Sequence, residues 1–148
     1  MIYGSEKWAM KVEHTDSLEK AEARMVRLMI GVSLQERKPT DDLRKSLGIN
    51  SISDTITRAR LRWYGHVHRK REDDWVKRIT QLQVDGRRQP GRPLKSWREL
   101  VNADLQRLRL RTSDADDRDK WREAIHGATS NLRPRGRRTL SRSASQRS

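Results

Sequence analysis

The sequence predicts a mainly α-helical chain: a small, irregular assembly of about five or six helices, a Gly/Pro/Arg loop in the middle and a disordered C-terminal tail. Three observations predict it. Apolar residues recur at helical spacing in several windows. Capping residues and glycines punctuate those windows. No stretch alternates apolar and polar residues as a half-buried strand would.

The first helix is expected over residues 15–30. Leu18, Ala21, Met25, Leu28 and Met29 share a face and are expected to be core. Asp16 and Glu19 have capping-box spacing, and Gly31 suits a left-handed stop. A polar connector at 35–39 follows. Thr40 then caps a short helix over 41–47, closed by Gly48. Ser53 or Asp54 caps a third helix that runs to about Arg69, with Ile56, Ala59, Trp63 and Val67 as its apolar positions. Asp73 or Asp74 caps a fourth, which holds Trp75, Val76, Ile79 and Leu82.

Residues 85–95 form a basic, hook-like loop, because its Gly and Pro residues break any regular element. Ser96 and Glu99 form a second capping box. They open a helix with Trp97, Leu100, Val101, Asp104, Leu105 and Leu108. A last helix over about 114–126 carries Trp121 and Ile125. The chain thus divides into 1–31, an Arg-rich helical segment 32–84, the loop 85–95, a two-helix segment 96–126 and an Arg/Ser tail 127–148. The tail has no acidic residue and too little apolar surface to order itself.

Composition narrows the function. There are 34 Lys and Arg against 20 Asp and Glu, a formal net charge of +14. Such a surplus favours a polyanionic partner, DNA and/or RNA. No apolar run approaches the roughly 20 residues of a spanning helix, so no membrane partner is expected. The start lacks a signal-peptide pattern, so secretion is not expected either. There is no cysteine, which removes disulfides, thiol nucleophiles and Cys-bearing zinc modules. The 14 Leu, 7 Ile and 7 Val, with no Phe, make a thin core that depends on the five Trp for large buried area.

Two groups of arginines are candidate phosphate contacts. Arg58, Arg60, Arg62 and Arg69, with Lys70 and Arg71, lie along and just after the third helix. Asp73 and Asp74 are too few to balance all six. The second group is Arg87, Arg88 and Arg92 in the loop, joined by Arg135 and Arg137 in the tail. Gly91-Arg92-Pro93 partly matches the Arg-Gly-Arg-Pro core with which AT-hook peptides enter narrow A·T minor grooves, with Pro90 in place of the first Arg. The tail offers a second partial match, Arg135-Gly136-Arg137 without the final Pro. General phosphate contact is the broader expectation for this loop, and a solvated basic turn the alternative.

Catalytic and metal chemistry find no support in the pattern. His66 and His68 stand two apart, which on a helix points them away from each other. Asp73 and Asp74 at a helix start are explained by capping and by the helix dipole. No phosphate-cradling glycine loop or nucleophile–base pair stands out. No catalytic residue, metal, cofactor or small-molecule substrate is therefore expected.

Several blocks resemble the region that follows the polymerase domain in reverse transcriptases of non-LTR (LINE-type) retrotransposons. They are Tyr3-Gly4-Ser5-Glu6-Lys7-Trp8; Ser53-Asp54-Thr55-Ile56 through Arg60-Leu61-Arg62-Trp63-Tyr64-Gly65-His66-Val67-His68-Arg69; Gly91-Arg92-Pro93 with Ser96-Trp97; and Asp117-Arg118-Asp119-Lys120-Trp121-Arg122. The Leu-Arg-Trp-x-Gly-His-Val block is the specific one, and the others support it by order. Lys7 and Pro90 depart from the family pattern. The resemblance implies that residues 3–30 end a thumb region that grips a template–primer duplex, and that an accessory helical segment follows. It also implies that the chain is a truncated fragment without palm or endonuclease motifs. The implied role is nucleic-acid binding without catalysis, and the basic cluster at 133–138 suits a nuclear location, with the cytoplasm as the alternative. Trp63 and Trp97 are expected to hold helices together rather than stack on bases. The alternative is a domesticated, AT-hook-like DNA-binding or chromatin protein.

Overall fold

The computed structural model describes residues 4–82 and 95–130. These residues form six α-helices and three short 3-10 turns, with no strand among them: α1 (Val12–Ile30), α2 (Thr40–Leu47), α3 (Ile52–His68), α4 (Trp75–Gln81), α5 (Trp97–Leu108) and α6 (Arg118–Ser130). The chain is mainly α, as the periodicity predicts. The hook-like loop, apart from Lys95, and the tail from residue 131 lie outside the described residues.

α3 is the central element. The N-terminal turn Ser5–Lys7, α1, α4, α5 and α6 all pack on it. Ser51 caps it by accepting from the Asp54 amide at 3.1 Å, so the cap stands two residues earlier than Ser53. Ser53 instead hydrogen-bonds to Glu19 of α1. The core lies between α3, α5 and α6. Leu61, Val101, Leu105, Leu108, Ala115, Trp121 and Ile125 are buried there, with Tyr64, Trp97, Leu110 and Ala128 packed around them. Full burial of each large aliphatic side chain contributes about 1.5–3 kcal/mol.

α5 opens on the Ser96/Glu99 capping box as expected. Asp74 caps α4, accepting from the Val76 amide at 2.9 Å. However, Trp75, Ile79 and Leu82 of that segment are exposed. The last helix starts later than expected. Asp117 accepts from the amides of Asp119 and Lys120 at 3.0 and 3.2 Å, which opens α6 at Arg118. Residues 112–115 before it form a 3-10 turn.

α1 departs furthest from its sequence pattern. It begins at Val12, so the Asp16/Glu19 capping box does not form, although Gly31 does end it at φ 71°. Its buried residues are Glu22 and Val26. Leu28 is 80% exposed and Met29 68% exposed, contrary to their expected place in the core. The reason is an ion pair: Glu22 turns inward to meet Arg44 of α2 at 2.6 Å. That pairing, with Val26 buried beside it, leaves Met25, Leu28 and Met29 outside.

The sharpest packing constraint is at Gly65. The Trp121 indole lies across it, and a Cβ at this position would overlap the ring. The ring also donates from Nε1 to the Leu61 carbonyl at 3.0 Å, satisfying a buried donor and binding α6 to α3. Replacing Gly65 by Ala should lower stability by about 1–3 kcal/mol through overpacking. Gly127, with open space around its Cβ position in α6, should gain up to about 1 kcal/mol from the same change. Urea midpoints of the two variants check this, and equal midpoints would refute the seat at Gly65.

Candidate nucleic-acid interface

The helical repeat places Arg58, Arg62, Gly65 and Arg69 on one face of α3. On α6 it places Arg118, Trp121, Arg122 and Ile125 on one face. Because Trp121 sits on Gly65, the two faces meet and leave a groove of about 220 Å³ between them. Its lining includes Arg58, Arg62, Arg69, Arg118, Arg122 and His126, over Trp121 and Ile125. It opens into a wider cavity of about 720 Å³ that shares Arg62, Arg69 and Arg118 and adds Glu6, Ala59, Trp63 and His66.

Five guanidiniums therefore face one groove. Among the described residues, none of the five forms an ion pair. Two are held by neutral acceptors instead. Arg58 donates from Nε and Nη2 to the Thr129 hydroxyl at 3.1 and 3.0 Å, and Thr129 in turn donates to the Ile125 carbonyl at 2.7 Å. Arg69 donates to the Ala115 carbonyl at 2.7 Å. A neutral acceptor orients a guanidinium without cancelling its charge. The groove is thus positive and partly pre-ordered, as a phosphate site requires.

The row of cations expected along α3 divides in the structure. Arg58, Arg62 and Arg69 line the groove. Arg60 does not: it is buried on the other side of α3, paired with Asp104 of α5 at 2.7 Å. A helix turns about 100° per residue, so Arg60 cannot share a face with Arg58 and Arg62. Lys70 and Arg71 are met by Asp74 and Asp73, at 2.7 and 3.2 Å, so the acids after the helix neutralise that part of the run. Arg87, Arg88, Arg92, Arg135 and Arg137 lie outside the described residues. Arg118 and Arg122 were not singled out from the sequence. Their signal was present, since they flank Trp121 on the apolar face of α6.

The described parts of the blocks that carried the family resemblance, residues 4–8, 53–69, 96–97 and 117–122, are linked to one another. Trp97 donates from Nε1 to the Glu6 carbonyl at 2.7 Å, which ties the N-terminal turn to α5. Lys7 Nζ lies 4.9 Å from the Trp63 ring centroid. Trp63 and His66 rings are 5.3 Å apart and tilted. Trp97 is a staple, as expected. Trp63 is half-buried and lines the wider cavity. His68 meets Asp116 at 2.9 Å, away from His66. Among the described residues no group of three or more His, Cys, Asp or Glu is placed to hold a metal ion. No helix of the described residues is long and apolar enough to cross a membrane.

No family model and no solved structure matches the chain. The chain is similar to a transposon-derived protein. That relative, itself uncharacterized and from Caenorhabditis elegans, is 24% identical over 148 aligned positions covering 88% of this chain and 51% of the relative. The chain spans about half the length of the curated relative it matches. The likeness points to a transposon-related origin.

Two aspartates outside the groove's lining hold the helices around it. Burial pushes the Asp104 carboxyl above the usual carboxylate range, opposed by the charges of Arg60 and Arg107. Removing it would strand the buried Arg60 charge, so Asp104→Ala should cost about 3–5 kcal/mol in a denaturation measurement. A loss below 1 kcal/mol would mean that Arg60 reaches solvent.

Asp117 is shifted the other way. Backbone donation from Lys120 and Asp119, then the charge of Lys120, hold its carboxyl below the usual range. A lowered folded value means that the cap is fully present above the ordinary aspartate range and is lost as pH falls through the lowered value. The amide resonances of Asp119 and Lys120 should therefore titrate together below the ordinary aspartate midpoint. Both titrations should vanish in Asp117→Asn. Titration at the ordinary midpoint would refute the cap.

Proposed function

We propose that this chain is a non-catalytic, nucleic-acid-binding segment from the C-terminal region of a non-LTR retrotransposon reverse transcriptase. Its partner is DNA or RNA, gripped by the phosphates. One observation carries this reading: five arginines on two helices converge on a single groove without a carboxylate partner among the described residues. Two arginines elsewhere in the fold behave otherwise. Arg44 and Arg60 each meet an acid inside the molecule. Two further observations support it: the net charge of +14 and the likeness to a transposon-derived protein.

The mechanism is counterion exchange. Each phosphate seated on a guanidinium releases condensed cations, so affinity falls with salt in proportion to the phosphates engaged. Arg58 and Arg69 are already oriented by Thr129 and Ala115, so they lose little rotamer freedom on binding. Phosphate contact of this kind positions a strand without reading its sequence.

Anisotropy titrations across salt concentrations test this. Engagement of all five arginines should give a slope of log K against log salt of about −3.5 to −4.5. Arg118→Glu with Arg122→Glu should reduce affinity at least about tenfold, flatten that slope by roughly two per pair removed, and leave helix content unchanged. Wild-type affinity in the double variant would refute the groove as the binding site. Primer extension with Mg²⁺ is expected to give no product, and extension would overturn the non-catalytic part of the reading.

A further inference from the structure

The groove has two unlike compartments. The narrow one, at about 220 Å³, is walled by arginines from both helices. The wide one, at about 720 Å³, is lined by Trp63, His66, Glu6 and Ala59 as well as by arginines. Arg62, Arg69 and Arg118 stand at the boundary and line both. The narrow compartment is below the roughly 300–1,000 Å³ that holds a drug-sized ligand, and the wide one is within it. A phosphate fits the first by size and charge. A nucleoside fits the second by size and by its aromatic wall.

Charge fixes the order of the two. Among the described residues, Glu6 is the only one with a carboxylate side chain that lines either compartment. It repels a phosphate but can accept from the exocyclic amino group of a base. A bound nucleotide would therefore place its base toward Glu6 and Trp63 and its phosphate toward Arg118 and Arg122. The Lys7 ammonium lies over the Trp63 ring, 4.9 Å from its centroid, so a base that stacks on that face displaces it. A duplex cannot use this arrangement, because its bases are stacked and paired inside it. An unpaired nucleotide can, since its base is free to lie on an aromatic ring while its phosphate is held.

We propose that this groove is a single-strand site: Trp63 and His66 take an unpaired base, and the arginine cleft takes the adjoining phosphate. The inference rests on the phosphate-binding reading above and adds the class of ligand. It gives Trp63 a role at the ligand, where the sequence pattern suggested a helix staple.

The full chain is titrated with a labelled 12-nucleotide single strand and with the blunt duplex of the same sequence. Trp63→Ala, Trp63→Phe, His66→Ala and Arg118→Glu are compared, with helix content and urea midpoint measured for each. The single strand should bind at least about tenfold tighter than the duplex. Trp63→Ala should weaken single-strand binding by about fivefold or more and leave duplex binding unchanged, while Trp63→Phe should retain most of the affinity. His66→Ala, at an exposed position, keeps the test decisive if Trp63→Ala fails to fold. It should weaken the single strand selectively.

Equal binding of strand and duplex, with neither aromatic variant changing it and Arg118→Glu weakening both, would overturn the single-strand site while the phosphate reading stands. Binding of both ligands that is indifferent to Arg118→Glu would overturn the two together.

Discussion

The seating of the Trp121 indole on Gly65 is the constraint on which the rest of the architecture depends. A ring can approach a helix backbone this closely only where the Cβ is missing. At that distance the indole N–H reaches the Leu61 carbonyl, and the helix pair is fixed in both separation and rotation. The core then closes behind the ring, with Ile125, Val101 and Leu105 around the fully buried Leu61. The arginines flanking the ring on both helices are thrown to the same side. The groove is thus a consequence of the packing, since residues one turn from a tight contact must emerge beside it.

Arginine plays two opposite parts in this molecule, and the acceptor decides which. Where a carboxylate is the partner, as Asp104 is for Arg60 and Glu22 for Arg44, the guanidinium is withdrawn and its charge is cancelled. Burial without such a partner would cost several kcal/mol. Where the partner is a hydroxyl or a carbonyl, as for Arg58 and Arg69, the geometry is held but the charge remains. A basic composition alone gives a cloud of positive potential. The division between charged and neutral acceptors leaves five uncancelled guanidiniums along one groove.

The N-terminal turn has a double use. Trp97 holds it by the Glu6 carbonyl, while Lys7 reaches Trp63 and Glu6 lines the wide cavity. Blocks that are distant in sequence thereby become one surface. α1 and α2 stand apart from this surface. They are joined by the Glu22–Arg44 pair, supported by Asp41, and Met25, Leu28 and Met29 of α1 remain exposed while Val26 and Leu43 are buried.

Sequence alone determined the local elements and the sign of the surface. The mainly helical class, the Ser96/Glu99 box, the Asp74 cap and the Gly31 stop follow from side chains acting on their own backbone within a turn, and such effects are written in order along the chain. The excess of Lys and Arg likewise needs no fold to be counted. Tertiary structure decided which face of each helix turns inward. Glu22 rather than Leu28 is buried, and Arg60 rather than Trp63, because each inward polar group met an opposite charge from a helix that periodicity cannot see. The pairing of Arg58, Arg62 and Arg69 with Arg118 and Arg122 is of the same kind. Those residues lie 49 to 64 positions apart, and the fit of one indole onto one glycine helps bring them to a common groove.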